Sequence, residues 1–264
     1  MTDMTIKIRQ ELERLEQEEG VRILYACESG SRAWGFPSQD SDYDVRFIYV
    51  RPVDWYLSIF EKRDVIERPI SEMLDISGWD LRKTLNLFRK SNPPLMEWLD
   101  SPIIYSEALQ TADRLRRLSY EAYSPKASIY HYLHMARGNY RTYLQGEVVR
   151  LKKYFYVLRP ILACEWILLN GSMPPMSFES LVDELLPKDG ELYRLIEELL
   201  ARKKAGDELD DEPRLPLLNA YIEDRLASLE QAAAQLPGAK SDIDAKLDEL
   251  FRELLIEAWS ESLS

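Results

Sequence analysis

Between Glu28 and Val50 the chain reads ESGSRAWGFPSQDSDYDVRFIYV, a glycine-serine turn followed by Asp42-Tyr43-Asp44 at the head of an apolar run. In a strand, side chains two apart share a face, so Asp42 and Asp44 point the same way with Cα atoms roughly 6.5 to 7 Å apart. Two carboxylates aimed at one point repel unless a cation lies between them. Mg²⁺, a hard ion held by one or two carboxylates together with substrate phosphates, suits such a pair. The plainer use of Asp-x-Asp alone is a charged strand edge that discourages pairing with another chain. Gly30 and Ser31, however, fall where a strand gives way to a helix. There glycine permits close backbone approach, the helix start offers free N–H groups to a phosphate, and Ser31 adds a hydroxyl. A metal-bound polyphosphate spanning the turn and the carboxylates gives both features a use.

Two better-known motifs are excluded on the same residues. Gly30 and Gly35 have P-loop spacing, but Phe36-Pro37 stands where lysine and serine or threonine are required. Asp40, Asp42 and Asp44 imitate the start of an EF-hand loop, yet Val45 replaces its glycine and Arg51 its glutamate.

The elements that must hold these residues are legible around them. MTDMTIKIRQELERLEQEEG is a charged amphipathic helix, unlike a signal peptide, and VRILYAC (Val21 to Cys27) is a strand ending at the turn. SRAW is a short helix stopped by Gly35 and Pro37, and YDVRFIYV is the second strand. Short strands are expected at Val65 to Arg68 and Met73 to Ile76, then a helix from Trp79 that closes at SNPP. From about Tyr120 the pattern is almost wholly helical, with AGDELDDEPRLP and LPGAKSD as connections. The fold class expected is therefore α+β, with a catalytic part over residues 1–115 and a helical part over residues 116–264.

Basic residues of the helical part supply what a triphosphate needs. In RLKKYFYVLRP, Lys152, Tyr156 and Arg159 fall at i, i+4 and i+7 with Lys153 beside them, one face of a helix. The bland alternative is a basic flank whose stems pack on the helix. Arg32 and Arg46, one after the turn and one on the face of the aspartates, are further phosphate candidates. His131 and His134 lack neighbouring ligands and are read as packing or surface groups. Aromatics in YHYLHMARGNYRTYL and YFYVL could stack a base, although helical aromatics more often form core.

Composition limits the rest. With 46 acidic against 34 basic side chains, the net charge of −12 disfavours strong non-specific binding to long nucleic acid. No run approaches the ~20 apolar residues that span a bilayer, so no membrane partner is expected and the protein is expected in the cytoplasm. Cys27 and Cys164 have no CxxC spacing and read as reduced core thiols.

Gly30-Ser31, then Asp42-x-Asp44, resembles the DNA polymerase β-type nucleotidyltransferase superfamily. More narrowly, GSRAWGFPSQDSDYDVRFIYV, DISGWDLRK, SNPPLMEWLDSPIIY and KKYFYVLRPILACEWI are similar to the RNA-ligase-associated nucleotidyltransferases of predicted RNA repair, over about Val21 to Pro187. The resemblance implies a small mixed sheet with helices and a two-metal transfer, with Mg²⁺ or Mn²⁺, of a nucleoside monophosphate from an NTP. It makes Asp42 and Asp44 ligands of both ions and Asp75, in MLDI, the third carboxylate, with Glu72 and Asp80 close by as alternatives; Asp80 also reads as a helix N-terminal charge. It favours an RNA or tRNA end as acceptor. A small molecule or a protein hydroxyl stays open, as does a non-catalytic nucleotide sensor.

Overall fold

Apolar runs with β-branched and aromatic residues pair into one five-stranded sheet, and the computed structural model of the protein describes residues 3–70, 73–207, 209–238 and 242–260. The order is α1 (Asp3–Glu19), β1 (Arg22–Glu28), α2 (Gly30–Ala33), β2 (Tyr43–Val50), α3 (Val53–Tyr56), β3 (Val65–Glu67) and β4 (Leu74–Asp80). Then come α4 (Leu81–Arg89), α5 (Pro93–Leu99), β5 (Ile104–Glu107) and α6 (Thr111–Ala122). The strands lie in the order β3-β4-β2-β1-β5, with β2 and β4 parallel and the other pairs antiparallel. β1 and most of β2 are buried on both faces, which is why they read as continuous apolar runs.

Next follow α7 (Pro125–Tyr143), β6 (Val148–Arg150), a 3₁₀ turn (Leu151–Tyr154), α8 (Phe155–Asn170), α9 (Phe178–Leu185) and α10 (Glu191–Lys204). β7 (Asp211–Pro213), α11 (Pro216–Gln235) and α12 (Asp244–Trp259) complete the chain. The α+β class and the helical second part are as expected. No helix among the described residues is long and apolar enough to cross a membrane.

Three expectations need correction. Trp79 does not open a helix: it pairs with Val65 in the sheet, and α4 starts only after Asp80, whose carboxylate accepts the Arg82 N–H as its cap. The acidic stretch expected as a connection contains β7, which pairs with β6. The packing does not follow the division at residue 115 either. α6 and α12 belong to the core on one face of the sheet, through Leu115, Leu250 and Leu254 among others, while α1 covers the opposite face. The helical core is built from α7 to α11, and Phe36 from the loop after α2 is buried inside it.

SNPP both ends a helix and starts one. Pro93 and Pro94 occupy the first turn of α5, where no N–H is needed, and the Asn92 side chain accepts from Leu95. α5 thereby carries Glu97 to the boundary between sheet and helical core.

Candidate active site

Residue 44 is fixed by its backbone before its side chain does anything. Its N–H donates to Glu28 Oε1 at 2.7 Å, and its carbonyl accepts the Ser29 N–H at 2.9 Å. Glu28 is fully buried and also accepts the Tyr105 hydroxyl. Gly30 has φ +60, and a Cβ there would fall 2.1 Å from Asp44 Oδ2. Glycine is thus required twice, for its left-handed conformation and because the aspartate lies directly against it. Ser31 is buried beside it.

In the parallel pairing of β2 and β4, Asp44 stands level with Asp75. Arg46 lies between them, its Nη2 3.1 Å from Asp44 Oδ1 and 2.8 Å from Asp75 Oδ2. Burial pushes the Asp44 carboxyl above its ordinary value; Arg46 opposes this, and Asp75 and Asp42 add to it. Asp42 is exposed at the entrance of β2. Arg32 stacks on the Tyr43 ring at 3.7 Å and donates to the carbonyls of Ser41 and Asp42, so it fastens the loop leading into β2. Arg32 and Arg46, expected to meet phosphate, are thus engaged with the protein itself. Asp80 is buried, caps α4 and accepts the Tyr56 hydroxyl, which settles it as a helix N-terminal charge. Glu72 lies outside the described residues.

The opposite wall comes from the helical part. The ring contact of Tyr156 with Trp34, just after α2, sets the start of α8 against the turn that precedes the carboxylates, and burial, then the charges of Asp44 and Asp42, pushes the Tyr156 hydroxyl above its ordinary value. Lys153 Nζ lies 5.1 Å from the Tyr156 ring and 4.4 Å from that of Tyr143. Burial, with Lys152 and Arg150 nearby, pushes this ammonium down. Lys152 instead pairs with Asp210 at 3.0 Å. The one-face expectation fails for Lys152, because residues 151–154 form a 3₁₀ turn whose three residues per turn break the helical phase, whereas Tyr156 and Arg159, both within α8, meet the same Trp34 ring.

Arg159 is corrected more sharply. It is 1% exposed, its Nη1 is 2.5 Å from Glu97 Oε1, and its guanidinium lies 4.6 Å over the Trp34 ring. Glu97 also accepts Tyr132 and Trp34. Trp34 in turn packs edge-on against Tyr156 at 5.7 Å. This buried network, with Phe36 stacked on Phe155 at 5.0 Å, fixes the turn to α8. Sequence reading missed Glu28, Trp34, Glu97 and Lys203, whose Nζ reaches Ser38 in the loop before Asp42. For Glu28 the signal was available: a carboxylate closing an otherwise apolar strand.

Among the described residues no three carboxylate, imidazole or thiol side chains are gathered so as to hold a metal ion. For the expected trio the reason is visible, since Arg46 occupies the space between Asp44 and Asp75. Hard oxygen donors remain in Asp42 and Asp44, and one or two carboxylates with substrate phosphates are what Mg²⁺ takes. The donor chemistry therefore fits a divalent ion that arrives with a nucleotide. His131 and His134 belong to no such group. Both cysteines are buried and free, with burial pushing Cys27 up to about 12. The cavities of about 420 to 660 Å³ elsewhere on the surface are lined by none of Asp42, Asp44 and Asp75.

Comparison with known proteins places the chain in a family. A family described as RlaP, RNA repair pathway DNA polymerase beta family, matches residues 4–253. The chain is 55% identical over 258 residues to the uncharacterized protein YcgL of Bacillus subtilis (strain 168), covering 98% of this chain and 99% of that one. Among solved structures, a nucleotidyltransferase-like protein from Exiguobacterium sibiricum 255-15 aligns over 86% of this chain and 74% of its own. Its TM-score is 0.32 at 12% identity, too slight a likeness to argue from. With the family match spanning nearly the whole sequence, the chain belongs to the RNA repair pathway DNA polymerase beta family.

Proposed function

We propose that the protein transfers a nucleoside monophosphate from an NTP to the hydroxyl of an RNA end. The observation that carries this is the packing of Trp34 and Phe36 on Tyr156 and Phe155, which sets Tyr156 and the neighbouring Lys153 against the segment that carries Asp42, just before β2, and Asp44 within it. Carboxylate oxygens on one side suit a divalent ion, and the Lys153 ammonium on the other suits the phosphates of a metal-bound triphosphate. The RNA end is drawn from the family description.

Divalent ions, Mg²⁺ or Mn²⁺, would neutralise phosphate charge and lower the pKa of the attacking hydroxyl. The chain's own residues orient and hold. Asp42 and Asp44 present carboxylate oxygens, with Asp44 immobilised by Glu28 and Ser29. Lys153 meets phosphate oxygens, and Tyr156, whose hydroxyl is pushed above its ordinary value by burial and then by the carboxylates, offers a hydrogen-bond donor. Gly30 and Ser31 let the nucleotide approach the backbone. Arg46 holds Asp75 level with Asp44, and Trp34 with Phe36 keeps the turn in step with α8.

The test is incubation with α-labelled NTPs, Mg²⁺ or Mn²⁺, and RNA oligonucleotides or tRNA with free 3′-hydroxyls. Label joined to RNA with release of pyrophosphate is the expected result. Label on a small molecule or on protein would overturn the RNA acceptor, and tight NTP binding without turnover would make the protein a sensor.

A further inference from the structure

Three consecutive cations end α10, and only the middle one lacks a carboxylate. Arg202 pairs with Glu212 and Asp207, and Lys204 pairs with Glu179. Lys203 turns to the sheet side of the molecule, where its Nζ lies 3.2 Å from Ser38 Oγ. Among the described residues no carboxylate pairs with it. Ser38 belongs to the loop between the Gly30-Ser31 turn and Asp42, a loop closed by the Ser38 N–H donating to Ser41 Oγ at 2.9 Å. Burial pushes the Lys203 ammonium down, and Lys152 adds to the effect, so a second lysine stands near the first. A half-buried ammonium whose partners are a neutral hydroxyl and another cation lacks a counter-charge. Lys153 repeats the pattern on the other side of Lys152.

We propose that Lys203, held at the Ser38 loop, binds the terminal phosphates of the nucleotide and makes the site selective for a polyphosphate tail. The proposal rests on an NTP lying between the two walls. Lys203 approaches from a different element than Lys153, so together they meet the tail from two sides. Neither makes any call on the base or sugar.

The test is calorimetric binding of inorganic tripolyphosphate, an NTP and the matching NMP to the full chain. Wild type is compared with Lys203→Ala, Lys203→Arg and, as a control, Lys204→Ala. Lys203→Ala should weaken tripolyphosphate and NTP roughly ten- to hundredfold, the range for a charged hydrogen bond, and leave NMP binding unchanged. Lys203→Arg should recover most of the loss, and Lys204→Ala should bind as wild type does. Because the charge is uncompensated without ligand, unliganded Lys203→Ala should melt no lower than wild type. Equal weakening of NMP and NTP, or no weakening of tripolyphosphate, would overturn the proposal. Tripolyphosphate binding is read without turnover. Lys203-dependent binding with no transfer would sink only the proposed reaction, whereas transfer with unchanged NTP affinity in Lys203→Ala would sink only the role of Lys203.

Discussion

Asp44→Asn is expected to lower nucleotidyl transfer by on the order of a thousandfold or more while leaving the melting temperature within a few degrees of wild type. Asparagine keeps the size of the side chain and an oxygen to accept from Arg46, which keeps its ion pair with Asp75, and the backbone contacts of residue 44 to Glu28 and Ser29 are untouched. What is lost is the charge facing Asp42 and the opposite wall. Several kcal/mol of charge stabilisation at a transferring phosphoryl group converts to about three powers of ten in rate. Single-turnover transfer by the variant measures it. A rate within tenfold of wild type would show that Asp44 does not hold the ion.

Glu97→Ala should produce the largest loss of stability, about 3 to 5 kcal/mol, because it leaves the Arg159 guanidinium buried without its carboxylate. A buried carboxyl deprived of its cation can take up a proton, whereas a guanidinium cannot shed one. Tyr132 and Trp34 lose their acceptor in the same change. At roughly 2 to 4 °C per kcal/mol the midpoint should fall by about 6 to 20 °C. Arg159→Met should also melt lower without any nucleotide present. If Arg159 were instead a phosphate contact, that variant would keep the unliganded midpoint and lose only the shift caused by NTP. Scanning calorimetry with and without NTP separates the two.

The part of the site that was legible in the sequence is the part encoded by local spacing. Period two placed Asp44 at the head of β2 and the strand-to-helix change placed the Gly30-Ser31 turn, because both are properties of a few consecutive residues, whereas the packing of Asp44 directly against Gly30 appears only in the fold. Asp75 was reachable once β4 was recognised, since a parallel neighbour puts it level with Asp44. Residues that act across elements were hidden. Arg159 lies in a run that looks like a basic helical face, yet its charge is buried on Glu97, sixty-two residues earlier. Lys203 sits in a run of three cations that reads as solvated, and only the tertiary fold shows that one of the three is turned inward. The return of α12 to the sheet was equally silent, because an amphipathic helix does not name the surface it covers.

If Asp42, Asp44 and the start of α8 enclose one metal-dependent nucleotide site, calorimetry in EDTA, in Mg²⁺, in NTP and in both reads it out. Ligand at about 100 times its dissociation constant adds about 2.7 kcal/mol. Wild type with NTP and Mg²⁺ should therefore melt roughly 5 to 10 °C higher, if unfolding is close to two-state. The variant carrying Asp42→Asn and Asp44→Asn should lose most of the Mg²⁺-dependent part of that rise while keeping the part caused by nucleotide alone. An undiminished Mg²⁺-dependent rise in the double variant would contradict the account and put the metal elsewhere.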